Sequence, residues 1–183
     1  YGQRTTTTIA PGAANARALL AIRVAPSVDN GIAAAFGQRE LINRMQLVLR
    51  NLGISVRGST TSNILVQALL NATPSTTNTW TNAIGNATGQ QNSSLAQIVD
   101  YAGGSTTVTG GEVTAGLFSS GTSTLDLSTV RDLGNCILGG GGTTSNSGIF
   151  PDGPDTLTIV VTNIAGSGDV NVTARISWTE AQA

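Results

Sequence analysis

The stretch from Phe36 to Val56, FGQRELINRMQLVLRNLGISV, carries the most definite pattern in the chain and constrains what can be built around it. Leu41, Met45, Val48, Leu49 and Leu52 recur at steps of four, three, one and three, which lines one face of a coil with 3.6 residues per turn. Arg39, Asn43, Arg44, Gln46, Arg50 and Asn51 fall on the opposite face. The spacing predicts one amphipathic helix over about 38–52, its apolar side buried and its polar side wet or gripping something polar. Gly53 directly follows the last periodic residue, where a left-handed cap is cheapest for glycine, and Ile54 can fold back on the last turn. Arg50 suits the negative end of the helix dipole. Arg39 near the start does not, and is expected to find its partner elsewhere.

The rest reads as strands. In Arg17 to Ala25, Leu20, Ile22 and Val24 alternate with Leu19, Ala21 and Arg23, and Pro26 ends the run. Asn63 to Asn71, NILVQALLN, is too short and too evenly apolar for a surface helix and reads as a strand buried on most of one face. Leu95 to Tyr101 and Glu112 to Ser119 form a candidate hairpin through Gly103-Gly104 and Gly110-Gly111. Leu125 to Leu138 reads as a short helical turn followed by a strand. Thr156 to Ile164 and Val170 to Thr179 alternate on either side of AGSGD and predict a closing hairpin. In its second strand Val170, Val172, Ala174, Ile176 and Trp178 share one face. Polar sequence from Thr73 to Ser94 predicts a long surface loop, pinned to the body by Trp80 because an indole buries more area than anything else nearby.

Residues 1–16 are expected to be an extended N-terminal arm, since branching at Cβ in Thr5, Thr6, Thr7 and Thr8 favours β geometry. Residues 17–183 are expected to form a single β-rich domain, and 183 residues suffice to bury a core without metals or cross-links. The expected fold class is mainly β (α+β): an antiparallel β-sandwich or jelly-roll-like sheet with one amphipathic helix packed on it.

Composition narrows function. Only 10% of residues are charged, against roughly a quarter in ordinary soluble domains, and the net charge is -1. Threonine outnumbers even the 23 glycines, the profile of a β-rich shell protein more than of a cytosolic enzyme. All nine basic residues are arginine, with no lysine and no histidine. That removes the commonest general base, the commonest metal ligand and any Schiff-base amine, so no enzyme, cofactor or metal site is expected. Asp152 and Asp155 offer hard oxygens for an ion such as calcium, but their place between Pro151 and Pro154 is explained by turn formation. Gly139 to Gly142 lacks the Lys-Ser/Thr of a phosphate cradle. Cys136 stands alone and is expected to be a buried, inert thiol.

Arg39, Arg44, Arg50 and Arg57 against the near-neutral net charge fit a solvated or intersubunit face better than a nucleic-acid stripe. Sequons at Asn71, Asn86, Asn92 and Asn171 are what a chain rich in Asn, Thr and Ser produces by composition. No apolar run approaches the ~18 residues of a bilayer span, so no membrane partner is expected. The polar opening does not read as a secretory signal, and a start without Met is expected of a processed chain or the end piece of a longer one.

Five phrases stand together: YGQRTTTTIAPG at the start, IRVAPSVDNG at 22–31, GQRELINRMQLVLRNLGI, FPDGPDTLTIVV and NVTARISWTEAQA. With them nearly the whole chain resembles virion structural proteins, in particular their C-terminal regions, of contractile-tailed phages that infect marine cyanobacteria. The resemblance implies a non-enzymatic particle component in the virion: neck, tail, fibre or capsid decoration. It offers no catalytic motif to carry over. The expected partners are further copies, in trimers or hexamers, and other virion proteins. Thr5 to Thr8, Arg39, Arg44 and Arg50 are the candidate subunit contacts. The alternatives are a receptor- or glycan-binding tip domain of a phage fibre, with Trp80 meeting host-surface sugars, or a microbial extracellular fibre or surface-layer subunit.

Overall fold

A computed structural model describes residues 2–9, 16–25, 45–57, 63–83, 94–101, 103–120, 123–126, 137–139, 154–165 and 169–182. In chain order the strands are β1 (Gly2–Ile9), β2 (Arg17–Val24), β3 (Met45–Arg57), β4 (Asn63–Leu70), β5 (Thr73–Pro74), β6 (Thr81–Asn82) and β7 (Ala96–Asp100). They continue with β8 (Val108–Thr109), β9 (Glu112–Ser120), β10 (Ser123–Asp126), β11 (Ile137–Gly139), β12 (Thr156–Ala165) and β13 (Val170–Gln182). The protein is mostly β, every pairing of these strands is antiparallel, and no helix occurs among the described residues.

One sheet runs β1-β13-β3-β10, with β11 and β10 on successive stretches of the β3 edge that β13 leaves open. A second runs β6-β7-β2-β12-β4-β9, and β5 with β8 makes a short ribbon. Both sheets feed one apolar cluster. The first contributes Leu47, Leu49, Leu52, Ile54, Ile176 and Trp178, the second Leu20, Ile22, Ile64, Val66, Leu157 and Ile159. Each fully buried aliphatic side chain of this kind is worth about 1.5–3 kcal/mol over its exposed state.

The helix predicted over 38–52 is not formed by its described part. Residues 38–44 lie outside the described residues, and Met45–Arg57 is a 13-residue strand paired along its length with β13. Buried Met45, Leu47 and Leu49 alternate with less buried neighbours, and so do buried Leu52, Ile54 and Val56. Between the two runs the phase slips by one residue. Ser177 pairs with Asn51 and Trp178 with Leu49, which leaves Arg50 as the extra residue of a β-bulge. The slip converts a period of two into a step of three from Leu49 to Leu52, and alternate strand positions supply the step of four from Met45 to Leu49. A bulged strand thus imitates a helical face. Gly53, expected as a helix cap, lies in mid-strand between Arg175 of β13 and Asp126 of β10.

Neither expected hairpin forms. β12 pairs with β2 and β4 in the second sheet, while β13 pairs with β1 and β3 in the first, so the 166–168 link joins the two sheets. Burial gives the reason. Leu157 to Val161 are buried without a break, as a central strand covered on both faces must be. β13 instead alternates, with Val170, Val172, Ala174, Ile176 and Trp178 inside and one face left wetter. Likewise β7 pairs with β2 and β6 but β9 pairs with β4, at the far side of the sheet. Of the expected turn and strand over 125–138, residues 127–136 lie outside the described part, Ser123–Asp126 is strand, and Ile137–Gly139 is strand.

A second bulge shapes β2. Ile159 pairs with Leu20 and Val160 with Ala18, so Leu19 is the extra residue. Leu19 and Leu20 both join the main core, whereas Ala18 and Ala21 join a smaller cluster with Val99 and Tyr101. One end of the two-sheet body is fastened by Glu180. Its carboxylate accepts from Trp178 Nε1 at 3.1 Å, from the Leu95 amide at 3.2 Å and from the Ser94 hydroxyl, and Ser94 Oγ accepts from the Ala96 amide at 3.1 Å. The first sheet is thereby tied to the entry of β7 in the second.

Candidate functional site

The segment from Asn71 to Ala83 lies across the outer face of the second sheet. Ser75 N donates to Thr107 O at 2.8 Å and Thr107 N to Ser75 Oγ at 3.0 Å, while Thr76 and Thr106 share a hydroxyl bond at 3.1 Å. The β5-β8 ribbon is thus fixed as a cover, and Trp80 and Val108 pack against Ala18, Ala21, Val99 and Tyr101 beneath it. Asn71 takes the left-handed turn at φ 54, which asparagine tolerates, and is locked there from both sides. Its Nδ2 donates to Asp155 Oδ1 at 3.1 Å, and its Oδ1 accepts from the Thr156 amide at 2.9 Å.

Trp80, the candidate glycan contact, is partly buried. The Arg23 guanidinium lies over its ring at 4.2 Å from the centroid, and Arg23 Nε and Nη2 donate to Gln97 Oε1 at 3.0 and 2.9 Å. Burial pulls the Arg23 pKa down to about 10, which leaves the cation intact at neutral pH and strengthens its attraction to the indole face. Tyr101 donates its hydroxyl to Asn78 Oδ1, so two side chains of the crossing segment are held from the sheet. Burial raises the Tyr101 pKa, and the bond to Asn78 opposes that in part. The chemistry of this cluster is packing and cation–π attraction, with the ring already engaged by its own chain.

The other site residues scatter. Thr5, Thr6, Thr7 and Thr8 pair with Ala174, Thr173, Val172 and Asn171, making β1 the edge strand of the first sheet. Arg50 is exposed at the β3 bulge, and its Nε donates to Thr179 Oγ1 at 3.1 Å. Arg39 and Arg44 lie outside the described residues, as do Asp152 and Cys136. Asp155 belongs to the Asn71 lock. Among the described residues no group of three or more His, Cys, Asp or Glu side chains stands together, and no helix is long and apolar enough to cross a membrane.

One surface escaped the sequence reading. Among the described residues Val113, Phe118 and Ile164 are the large apolar side chains left exposed, Phe118 at 71%. Val113 and Phe118 stand on β9 opposite Leu69 and Leu65 of β4, so they share the outer face of the second sheet. The signal was present in Leu117-Phe118. Adjacent apolar residues in a strand point to opposite faces, so one of them had to be on the outside. No family model matches the chain, and no curated protein matches it.

Proposed function

We propose that the chain is a non-enzymatic structural component of a tailed-phage virion, in the neck, tail, fibre or capsid decoration, whose copies join one another through strand edges. The observation that carries the reading is the state of those edges. β1, with four threonines, borders one sheet, and β9, with exposed Val113 and Phe118, borders the other among the described strands. Soluble monomers commonly blunt such edges with lysines, prolines or inward charges. Here β1 carries only Arg4 and β9 only Glu112 as charged residues. Support also comes from two sheets sharing one core, read as a β-sandwich, and from the phage-like phrases at both ends of the chain. Durability and self-association need shape, not titratable chemistry. Further copies, arranged as trimers or hexamers, and neighbouring virion proteins are the partners this reading assigns.

Antibody labelling of purified cyanophage particles by electron microscopy tests it. The expected result is label at a fixed station on the particle, and unlabelled intact particles from a phage that encodes the chain would overturn it.

A further inference from the structure

Resting on the self-assembly reading, we infer that β9 is a homotypic seam, through which two copies pair antiparallel about a two-fold axis at Leu117. Gly116 and Phe118 both face outward, one residue to either side of Leu117. An antiparallel two-fold centred there sets each Phe118 directly opposite the partner's Gly116. The two positions are complementary in shape. Phe118 is a knob at 71% exposure, and Gly116 is a hollow where an added Cβ would meet nothing nearer than Gln67 Cγ at 3.7 Å. An aromatic ring laid across a strand glycine covers backbone that the glycine leaves bare.

Charge permits the same pairing. Glu112 is the only charged residue of β9 and lies at its start. The two-fold sends the two Glu112 side chains to opposite ends of the seam, on the order of 30 Å apart at the usual rise per residue, beyond strong repulsion in physiological salt. Leu117, on the opposite face and packed against the main core, meets its own copy at the axis and continues the inner row. Each Phe118 covers roughly 150 Å² of ring surface, and a strand pair of this length falls at the low end of interface sizes. The association is therefore concentration-dependent. A two-fold seam also selects among assemblies: a hexamer with dihedral symmetry contains it, and a plain cyclic trimer does not.

Sedimentation velocity across a concentration series tests the seam with the intact chain, Phe118→Lys, Phe118→Ser and Gly116→Val. Both positions are exposed, so circular dichroism melts should match the parent within a few degrees. The seam predicts that each variant raises the dissociation constant at least tenfold, the lysine by charge and bulk, the serine by loss of the knob, and the valine by filling the hollow. Self-association of the parent left unchanged by all three overturns the seam while leaving the assembly reading standing. A parent that stays monomeric throughout removes both.

Discussion

Trp178 of β13 stands opposite Leu49 of β3, whereas the pair before it joins Ser177 to Asn51. That one-residue offset at Arg50 keeps Leu49 and Leu52 on the same buried face of a strand. It decides how the rest of the body is assembled, because β3 carries β13 on one edge and β10 with β11 on the other.

The strand and the helix make opposite demands on Val48. On a helix Val48 and Leu49 would share the apolar face, but in β3 Leu49 is 1% exposed and Val48 lies on the other, partly wet face. Leu49→Asp should cost more than about 4 kcal/mol and unfold the chain, since an unpaired charge is forced into the core. Val48→Asp should cost about 1 kcal/mol. Urea denaturation checks both, and equal losses would speak for the helix.

How much was legible follows from the same residue. Where a strand kept its phase, as from Val170 to Trp178, the buried face could be read directly. Where a bulge broke the phase, at Arg50, the pattern resembled another period, and only the long pairing with β13 settles the matter. Strand existence was readable for β2, β4, β7, β9, β12 and β13, but partners were not. Nearness in sequence suggested β12 with β13, whereas unbroken burial from Leu157 to Val161 placed β12 in mid-sheet. Trp80 was identifiable as an anchor by size alone. Its contact with Arg23 required the fold, as did the bare face around Phe118.

Glu180 is the acceptor on which three donors converge. Glu180→Ala leaves Trp178 Nε1 and the Leu95 amide without it, at about 1–3 kcal/mol for each donor that water fails to reach. Hydrogen exchange should accelerate at Leu95 and Ala96 in the variant, while β4 amides stay protected. Uniform acceleration would contradict a local clasp.

Asn163 is 2% exposed, and neither Nδ2 nor Oδ1 has a hydrogen-bond partner. It sits beside an irregularity in β12, where Asn163 pairs with Ile64 and Ala165 with Asn63. Replacing an unsatisfied buried amide by an apolar group of similar shape is neutral or favourable. Asn163→Leu should therefore stabilise the chain by about 1–2 kcal/mol in urea melts. A loss of that size would mean that the amide is bonded in solution.

Tyr101 has its folded pKa raised by burial, so its contribution to stability is complete below the ordinary tyrosine range near 10 and is lost as pH climbs through the folded value. Ultraviolet titration should show Tyr101 ionising above the ordinary tyrosine range. Tyr101→Phe should abolish the late step and flatten the alkaline loss of stability that this hydroxyl causes. A parent with no late step would count against its burial.

Static light scattering on the intact chain, with and without residues 1–12, bears most directly on the claim that this protein works by joining copies of itself. The predicted result is a mass at a multiple of 18.5 kDa that falls on dilution, with weaker association but a folded core once the β1 arm is removed. A single species of 18.5 kDa at every concentration, with or without residues 1–12, would contradict the account.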